Sequence, residues 1–450
     1  MKKLFSFLVL TCVAKILVLP SVSAAADTDS AAAWAGVPDM LARIVPPTFP
    51  DRKFPITTYG AVGDGTTDCS AAFREAIDNC SGAGGGEVVV PTGTFLTGPI
   101  HLKSNVNLHV EKGATILFST NREEYLPVVM VRYEGTEIMN YSPLIYALEQ
   151  TNIAITGEGT LDGQGRSWLA WRSNSDPRLP PQMASQGVPL EQRVFGDKYR
   201  LRPNFVVPFR CQNVLIQDVH IINSPMWVLN PVYCTNVTVQ HVTVNTLGAN
   251  TDGCDPDSCT DVLIKDCDLS DGDDCIAIKS GRDADGQKIN IPCQNLVIEG
   301  CTFRAGHGGV GIGSETSGGV QNVFAQDCQM NSPDLSMAVR LKTNPARGGY
   351  IKNVYVRHCT VKLAQIGIGM TLRYSSSGMI AGSAIPVIRD IDIRDVTFQK
   401  LTGQPVNIEG WSPENTINHV TIANCRFMAA ARKSFVTNAT DIDMDSSTGY

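Results

Sequence analysis

A short phrase of alternating apolar and polar residues recurs along the second half of the chain. Its first clear copy, at 211–219, is Cys-Gln-Asn-Val-Leu-Ile-Gln-Asp-Val. Alternation over a few residues is typical of a half-buried β-strand. Later copies begin 23 to 37 residues apart, at 234–242, 259–267, 293–301, 320–328, 351–359, 388–396 and 417–425. Weaker copies begin at Asn105 and Asn152.

This repeat predicts a solenoid. A period of this length with one strong strand, Asn/Gly turns and no helical periodicity favours a parallel β-helix, whose coils stack strand on strand about 4.8 Å apart. The variable spacing places insertions in the turns, where binding clefts form. We therefore predict an all-β fold, a single-stranded parallel β-helix domain over 53–430, followed by a polar tail at 431–450.

The cysteines support a stacked core. Nine of the 14 cysteines occupy the first or last position of the phrase, where other copies have Val or Ile. This interchange indicates small apolar core residues and does not imply disulfides. Besides Cys12, the remaining cysteines are Cys69, Cys80, Cys254 and Cys275. A bridge among those four is compatible with an exported protein, although the sequence does not pair them.

The first 24 residues have the features of a secretory signal peptide. Lys2 and Lys3 precede a short apolar run, and Ala24 ends a small-residue cleavage site. We therefore expect a secreted or periplasmic protein. No other segment approaches the about 18 apolar residues of a membrane span, so none is predicted.

The segments that follow the signal peptide lead into the fold. An Ala/Pro-rich stretch at 25–52 is expected to be a loosely held lead. Apolar residues at helical spacing predict a short helix over 68–80, with Asp68 as its N-cap. Such a helix would close the open end of the β-helix, which needs protection against edge pairing.

Composition and charge exclude some functions. Hydrophobic residues make up 43% of the chain and charged residues 18%, as expected for a soluble all-β protein. The net charge is −7, which argues against a nucleic-acid partner, since such proteins carry a basic surface. An acidic substrate would have to be held by a few local cations. The oligomeric state is not indicated.

Asp252, Asp273 and Asp274 lie within 25 residues of one another, in a region of short apolar strands. Asn, Asp and Gly dominate tight turns, and turn chemistry is a sufficient explanation for Asp252 alone. Adjacent carboxylates, however, raise each other's cost of ionising, which prepares one as an acid and leaves the other as a base.

The repeat predicts that these carboxylates share a stripe with other charged groups. Asp273 and His307 lie six residues after equivalent closing cysteines of consecutive coils, and should be stacked neighbours. One coil later, Arg340 and Lys342 alternate around an apolar residue and point to one face.

Carboxylates in this number, without a nucleophilic Ser or Cys motif or metal-ligand spacing, indicate glycoside hydrolysis with no metal and no cofactor. The neighbouring cations suggest a sugar that carries its own carboxylate.

Four motifs resemble those of the polygalacturonases, glycoside hydrolase family 28. They are Asn250-Thr-Asp-Gly, Gly272-Asp-Asp-Cys, Gly306-His-Gly and Arg340-Leu-Lys, in the family's order and at similar spacing. Leu341 stands where Ile is more frequent. The resemblance implies a right-handed parallel β-helix and inverting hydrolysis of α-1,4-linked galacturonic acid in pectic polysaccharide or oligogalacturonides.

The resemblance also implies a role for each site residue. Asp273 would be the general acid, Asp252 and Asp274 would hold and activate water, and His307 would tune Asp273. The substrate-binding residues would be Asn250, Arg340, Lys342 and Tyr374.

Other segments bear on the mode of attack along the polymer, and the sequence also allows functions from other classes. Segments 131–135 and 140–143 resemble the exo-acting bacterial branch, and an insertion at 163–202 is consistent with a wall at one end of a groove. This favours exo over endo action. The His and Arg/Lys motifs favour plain galacturonan over rhamnogalacturonan. The alternatives from other classes are a Ca²⁺-dependent pectate lyase, whose acidic residues would be Ca²⁺ ligands, and a non-catalytic carbohydrate-binding or adhesion β-helix.

Overall fold

The computed structural model describes residues 30–171, 175–375 and 382–450. Its strands form long parallel sheets that run along the molecule, and successive segments of chain visit each sheet in turn. One coil, for example, passes through Gln212–Gln217, then His220–Ile222, then the bridge-forming residues Leu229 and Val232, and returns at Thr235–Gln240. This is the predicted parallel β-helix.

Three sheets form its faces. The first contains Lys53–Pro55, Gly86–Val90, Val106–Val110, Thr151–Thr156, Gln212–Gln217, Thr235–Gln240, Thr260–Lys265, Cys293–Glu299, Val320–Gln326, Tyr350–Arg357, Val387–Arg394, Ile417–Ala423 and Ala439–Asp443. The second contains Asp64–Asp68, Gly93–Thr97, Ala114–Phe118, Thr160–Asp162, His220–Ile222, Thr243–Asn245, Asp268–Ser270, Thr302–Ala305, Gln329–Asn331, Thr360–Leu363, Thr397–Phe398 and Arg426–Phe427. The third contains Asp274–Ile278, Gly308–Ile312, Met337–Lys342, Ile366–Thr371, Val406–Glu409 and Phe435–Thr437.

The third face extends toward the N-terminus. Ile100–His101, Ile145–Leu148 and Val206–Phe209 pair in parallel. Isolated bridges at residues 229, 232, 254 and 257 then connect them to Asp274–Ile278. The third face is therefore continuous across the site region.

The third residue of the phrase bends each strand of the first sheet near its start. In the eight copies this residue is Asn, Asp or His, and its φ lies between 54° and 61°, a left-handed conformation that these side chains tolerate better than most. Their amides also pair between coils: Asn236 donates to Asn213 at 2.8 Å, and Asn353 to Asn322 at 3.0 Å. The ladder holds consecutive coils in register.

The phrase cysteines are buried in the core, as the repeat predicts. All thirteen cysteines from Cys69 onward are buried and free, so the four outside the phrase form no bridge in the described part of the chain. Cys12 and the proposed signal peptide lie outside the described residues. No helix in the described ranges is long and apolar enough to cross a membrane.

The predicted N-terminal helix forms, shifted by two residues. It spans Ser70–Gly82 and buries Phe73, Ala76 and Ile77 against the first coils. Asp68 accepts a hydrogen bond from the Ser70 backbone N–H at 2.9 Å, although the N-cap position is Cys69.

The N-terminal lead, predicted at 25–52, is not loosely held from Ser30 onward. Trp34, Val37 and Met40 pack with Val297 and Phe324 on the outer face of the first sheet. The expectation of a loose lead overlooked these apolar residues, which find an exposed apolar face to cover.

The β-helix does not end at residue 430, where the polar tail was predicted to begin. Phe435–Thr437 and Ala439–Asp443 extend the third and first sheets by one more coil. Four of the eight residues in these strands are exposed, and Ala439 and Ile442 are only partly buried against the core, so the apolar signal is weak. Backbone hydrogen bonds to the preceding coil supply the order.

The remaining elements are a hairpin, short helices and 3₁₀ turns outside the three sheets. An antiparallel hairpin joins Val129–Tyr133 to Thr136–Asn140. The other helices and 3₁₀ turns are Val37–Leu41, Ile56–Tyr59, Arg122–Tyr125, Arg166–Leu169, Leu179–Ser185, Leu190–Gln192, Gly196–Tyr199 and Asp283–Ile289.

Candidate active site

The predicted site residues gather on the third sheet. Asp274 pairs with Gly308 on the next coil, which sets Asp273 beside His307. A bridge between Cys254 and Ile276 places Asp252 one coil before Asp274. The stacking that the repeat predicts is therefore what the fold produces.

The three aspartates form one cluster. One carboxylate oxygen from each lies within 4.8 Å of the other two. Their side chains differ in exposure: Asp274 is fully buried, Asp252 is 5% exposed and Asp273 is 23% exposed. Asp273 is thus the member of the cluster that a substrate can reach most directly.

Asp274 is held by two cations. Arg340 Nη1 donates to its Oδ1 and Lys342 Nζ to its Oδ2, both at 2.6 Å. Burial alone would raise the pKa of Asp274, but the charges of Lys342 and Arg340 hold it well below its usual range. Asp274 is therefore an ionised carboxylate. Both of its oxygens accept N–H donors, which leaves it poorly placed to ligate a metal ion.

A glycine makes this contact possible. A Cβ on Gly308 would lie 2.5 Å from Asp274 Oδ1 and 3.2 Å from Arg340 Cδ. Asp274 and Arg340 belong to coils on either side of Gly308 and meet across its Cα. The Gly-His-Gly motif thus contributes space as well as the histidine.

Asp252 has the opposite character. Burial first, and then the negative charge of Asp273, raise the pKa of Asp252 to about 8. Its nearest cation, Lys279 Nζ, is 3.6 Å away, and also lies 3.3 Å from Asp255 and 3.4 Å from Glu315. One cation shared by three carboxylates cannot keep all of them ionised. Behind the more exposed Asp273, the cluster therefore combines a protonated carboxyl group, Asp252, with an ionised one, Asp274.

His307 lies beside Asp273 as predicted. Its Nδ1 is 3.3 Å from Asp273 Oδ1, and its backbone N–H donates to the Asp273 carbonyl at 2.6 Å. The side-chain hydrogen bond to Asp273 raises the pKa of His307. The imidazole is 48% exposed, so it lies on the open side of the acid.

A cavity of about 330 Å³ opens over the cluster. Of the predicted residues, five line it: Asn250, Asp252, Asp273, Lys342 and Tyr374. Asp274 lies beneath it, and His307 and Arg340 lie outside its lining. Residues that were not predicted complete the wall: Tyr133, Glu134, Ser175, Pro177, Arg202, Trp227, Lys279, Ser314 and Glu315.

Lys279 is the most central residue that the sequence analysis missed. Its side chain is 3% exposed, and its Nζ lies 4.3 Å from the Trp227 ring centroid in addition to its three carboxylates. Burial alone would lower the pKa of Lys279, yet the carboxylates, Asp255 foremost, raise it well above its usual value. A lysine directly after the apolar run at 275–278 was the available signal.

Both insertions predicted to wall the groove contribute to the cavity. Tyr133 and Glu134 come from the hairpin, and Arg202 from the end of the 163–202 insertion. Arg202 donates to Asn250 Oδ1 at 3.0 Å and to two backbone carbonyls, which fixes Asn250 at the cavity edge.

The buried carboxyls predict how stability depends on pH. Burial, followed by the charge of Asp252, raises the pKa of Asp255 and Asp271 well above the usual value. Between pH 5 and 8 the unfolded chain has already lost these protons and the folded chain retains them. The unfolded state therefore binds fewer protons, and stability falls as pH rises. Thermal unfolding should show a midpoint that falls over this window.

The matched variant is Asp255→Asn, which removes one of these carboxyls outside the predicted catalytic set. It should show a shallower fall and a higher midpoint at pH 8. Asp274, whose pKa is low, stays ionised throughout the window and does not contribute to the slope. A midpoint that rises with pH would contradict this assignment of protons.

Comparison with known proteins agrees with this geometry. The profile of Glycosyl hydrolases family 28 matches residues 80–442. A probable polygalacturonase from Vitis vinifera is 33% identical over 86% of this chain and 77% of its own length. An exo-poly-alpha-D-galacturonosidase from Dickeya chrysanthemi is 30% identical, and the match covers 79% of this chain and 63% of that protein.

The structure of a hyperthermoactive exopolygalacturonase from Thermotoga maritima superposes with a TM-score of 0.84 at 39% identity, covering 90% of this chain and 94% of that one. The family match spans most of the chain and includes all four motifs, so this protein belongs to glycosyl hydrolases family 28.

Proposed function

We propose that this enzyme hydrolyses α-1,4-galacturonosyl linkages of polygalacturonate from a chain end, with inversion at the anomeric carbon. The observation that carries the proposal is the cluster of three carboxylates, differing in protonation, on the floor of a walled cavity that also contains cations. The polygalacturonase and exopolygalacturonase relatives support the same substrate.

The roles follow from exposure and charge. Asp273 is the most exposed of the three carboxyls and is hydrogen-bonded to His307, so it donates the proton to the leaving oxygen. Asp274 is ionised and enclosed, and Asp252 lies next to it. These two hold the attacking water on the opposite side of the sugar.

Substrate carboxylates meet cations at this cavity. Lys342 lines it, and its Nζ lies 5.1 Å from the Tyr374 ring centroid. Arg340 uses Nη1 for Asp274 and has further N–H groups. The pair can thus bind a uronate while continuing to hold Asp274.

The proposal of exo action depends on the two insertions that line the cavity. The hairpin and the 163–202 insertion both line the cavity that contains Asp252 and Asp273, and walls from two insertions would stop a long polymer from running through it. Because residues 1–24 have the features of a signal peptide, we also propose that the enzyme acts outside the cytoplasm.

Product analysis on polygalacturonate tests the function. The wild-type enzyme should release one short saturated product from the earliest time points, because only the chain end enters the cavity. Proton NMR of the same reaction should show the β anomer first, as inversion of an α linkage requires. Chromatography and NMR of a time course provide both measurements.

The same experiment distinguishes the alternatives. A ladder of oligomers at early times would indicate endo action. Unsaturated products that absorb in the near ultraviolet, together with inactivation by a chelator, would indicate a lyase. Absence of any product would favour a binding protein.

A further inference from the structure

The tip of the hairpin places a carboxylate in the wall of the cavity. Glu134 follows Val129–Tyr133, and its side chain lines the cavity together with Asp252 and Asp273. The side chain is 20% exposed. A negative group in the wall of a site for a polyanion requires an explanation, because it repels every uronate that approaches it.

Contacts on both sides of the tip fix this carboxylate in place. Arg282 Nη1 donates to Glu134 Oε2 at 2.7 Å, and the Arg282 backbone N–H donates to the Gly135 carbonyl at 2.9 Å. Deeper in the hairpin, the buried Arg132 Nη1 donates to Asp257 at 2.8 Å. The tip is therefore anchored independently of substrate.

Only one of the two Glu134 oxygens is used in this way. In the described part of the chain, Oε1 makes no hydrogen bond. An ionised carboxylate only accepts hydrogen bonds, and this oxygen lies on the cavity wall, where the hydroxyl groups of a bound sugar can donate to it.

The exposure of the site indicates which end of the chain lies near Glu134. His307 is 48% exposed and lies beside the acid Asp273, so the leaving chain departs on this open side. Asp252, Lys279 and Glu315 line the enclosed side. The cavity therefore holds the sugar whose anomeric carbon is attacked, which in an exo enzyme is the non-reducing terminal unit or lies within the short product released with it.

A chain end differs from the interior at one oxygen. The O4 of the terminal unit is a hydroxyl and donates a hydrogen bond, whereas in every interior unit O4 is glycosidic and has no hydrogen. We infer that Glu134 Oε1 accepts the hydrogen bond from this terminal O4 hydroxyl, and that Glu134 is the residue by which the enzyme recognises a chain end. This inference rests on the proposed function.

Charge adds a second component to the same discrimination. Glu315 also lines the cavity, and the charges of Lys279 and Arg347 overcome its burial and hold its pKa well below the usual range. A chain that extended past the terminal unit would bring a further uronate against Glu134 and Glu315. The wall thus accepts a hydroxyl and rejects a carboxylate.

Paired substrates test the inference. One is saturated trigalacturonate, and the other is the trimer with a 4,5-unsaturated non-reducing unit, which lacks the O4 hydroxyl. The wild-type kcat/KM should be at least about tenfold higher for the saturated trimer, as expected for losing a hydrogen bond to a charged group. In Glu134→Gln, activity on the saturated trimer should fall, and the ratio between the two trimers should shrink to within about threefold.

Two further variants isolate the effect. Glu137→Gln changes a glutamate of the same hairpin whose side chain pairs with Arg210 at 3.5 Å, outside the cavity lining, and should keep the wild-type ratio. Glu134→Asp retains the charge for Arg282 but withdraws the carboxylate by one methylene, and its ratio should also shrink. This provides the test if Glu134→Gln folds poorly.

The outcomes distinguish a failure of the role assigned to Glu134 from a failure of the proposed function. An active Glu134→Gln enzyme with an unchanged ratio would overturn the role of Glu134 and leave the proposed function intact. A wild-type enzyme that hydrolyses neither trimer nor polymer would overturn the proposed function, and the role of Glu134 with it.

Discussion

Asp273→Asn is expected to lower the rate of polygalacturonate hydrolysis by about 10³-fold, within the range that a positioned general acid contributes. The asparagine retains the shape of the side chain and cannot donate the proton that the leaving oxygen needs. Because Asp273 is 23% exposed and is not buried among the cations, the folded state should keep its stability. Release of reducing ends measures the rate, and thermal unfolding checks the fold.

The control is Asp268→Asn on the same coil. Asp268 pairs with Arg304 at the surface, so this variant should retain wild-type activity. A substrate with an activated aryl leaving group sharpens the test, since a good leaving group needs little protonation and should show a much smaller loss. An Asp273→Asn enzyme within tenfold of wild type on the polymer would exclude Asp273 as the acid.

Lys279→Met is expected to destabilise the fold by about 3–5 kcal/mol, the usual effect of removing one partner of a buried charge group. Methionine fills a similar volume, so the loss is electrostatic. Without Lys279, the ionised Glu315 loses one of the cations beside it, and the protonated Asp252 and Asp255, whose side chains are 5% and 0% exposed, lose the charged group that they contact. Denaturant unfolding at pH 7 measures the change in free energy.

Lys265→Met is the matched control. Lys265 Nζ is 2.9 Å from Glu299, a shorter distance than any that Lys279 makes to a carboxylate, but its side chain is 41% exposed. Solvent screens exposed pairs, which contribute between nothing and about 1 kcal/mol. Equal losses in the two variants would show that burial does not govern the contribution of Lys279.

Much of the fold could be predicted because successive coils of a β-helix have the same sequence pattern. Each copy of the phrase encodes one strand by its alternation and one left-handed bend in that strand by its Asn, Asp or His. Consecutive coils align equivalent positions. The placement of His307 beside Asp273 follows from counting residues, because a one-residue slip would turn the apolar side chains outward. The N-terminal helix was predictable in the same way, from spacing alone.

The prediction was poorer where the pattern is absent. The packing of Trp34 on the first sheet depends on a face that is defined only once distant coils have stacked. The tail strands Phe435–Thr437 and Ala439–Asp443 are ordered by backbone pairing with the previous coil, which no side-chain pattern reports.

For the site, the sequence by itself determined the chemical groups on the stripe: three aspartates, a histidine, an arginine and a lysine, at positions that the repeat brings together. The tertiary structure decided their states. Asp274 is ionised because two cations contact it, and Asp252 retains its proton because Lys279 is shared. The wall is also tertiary, since Glu134 meets Arg282 across 148 residues of sequence. The sequence period predicts which residues of neighbouring coils lie side by side. Burial, shared charges and contacts between insertions exist only once the chain has folded.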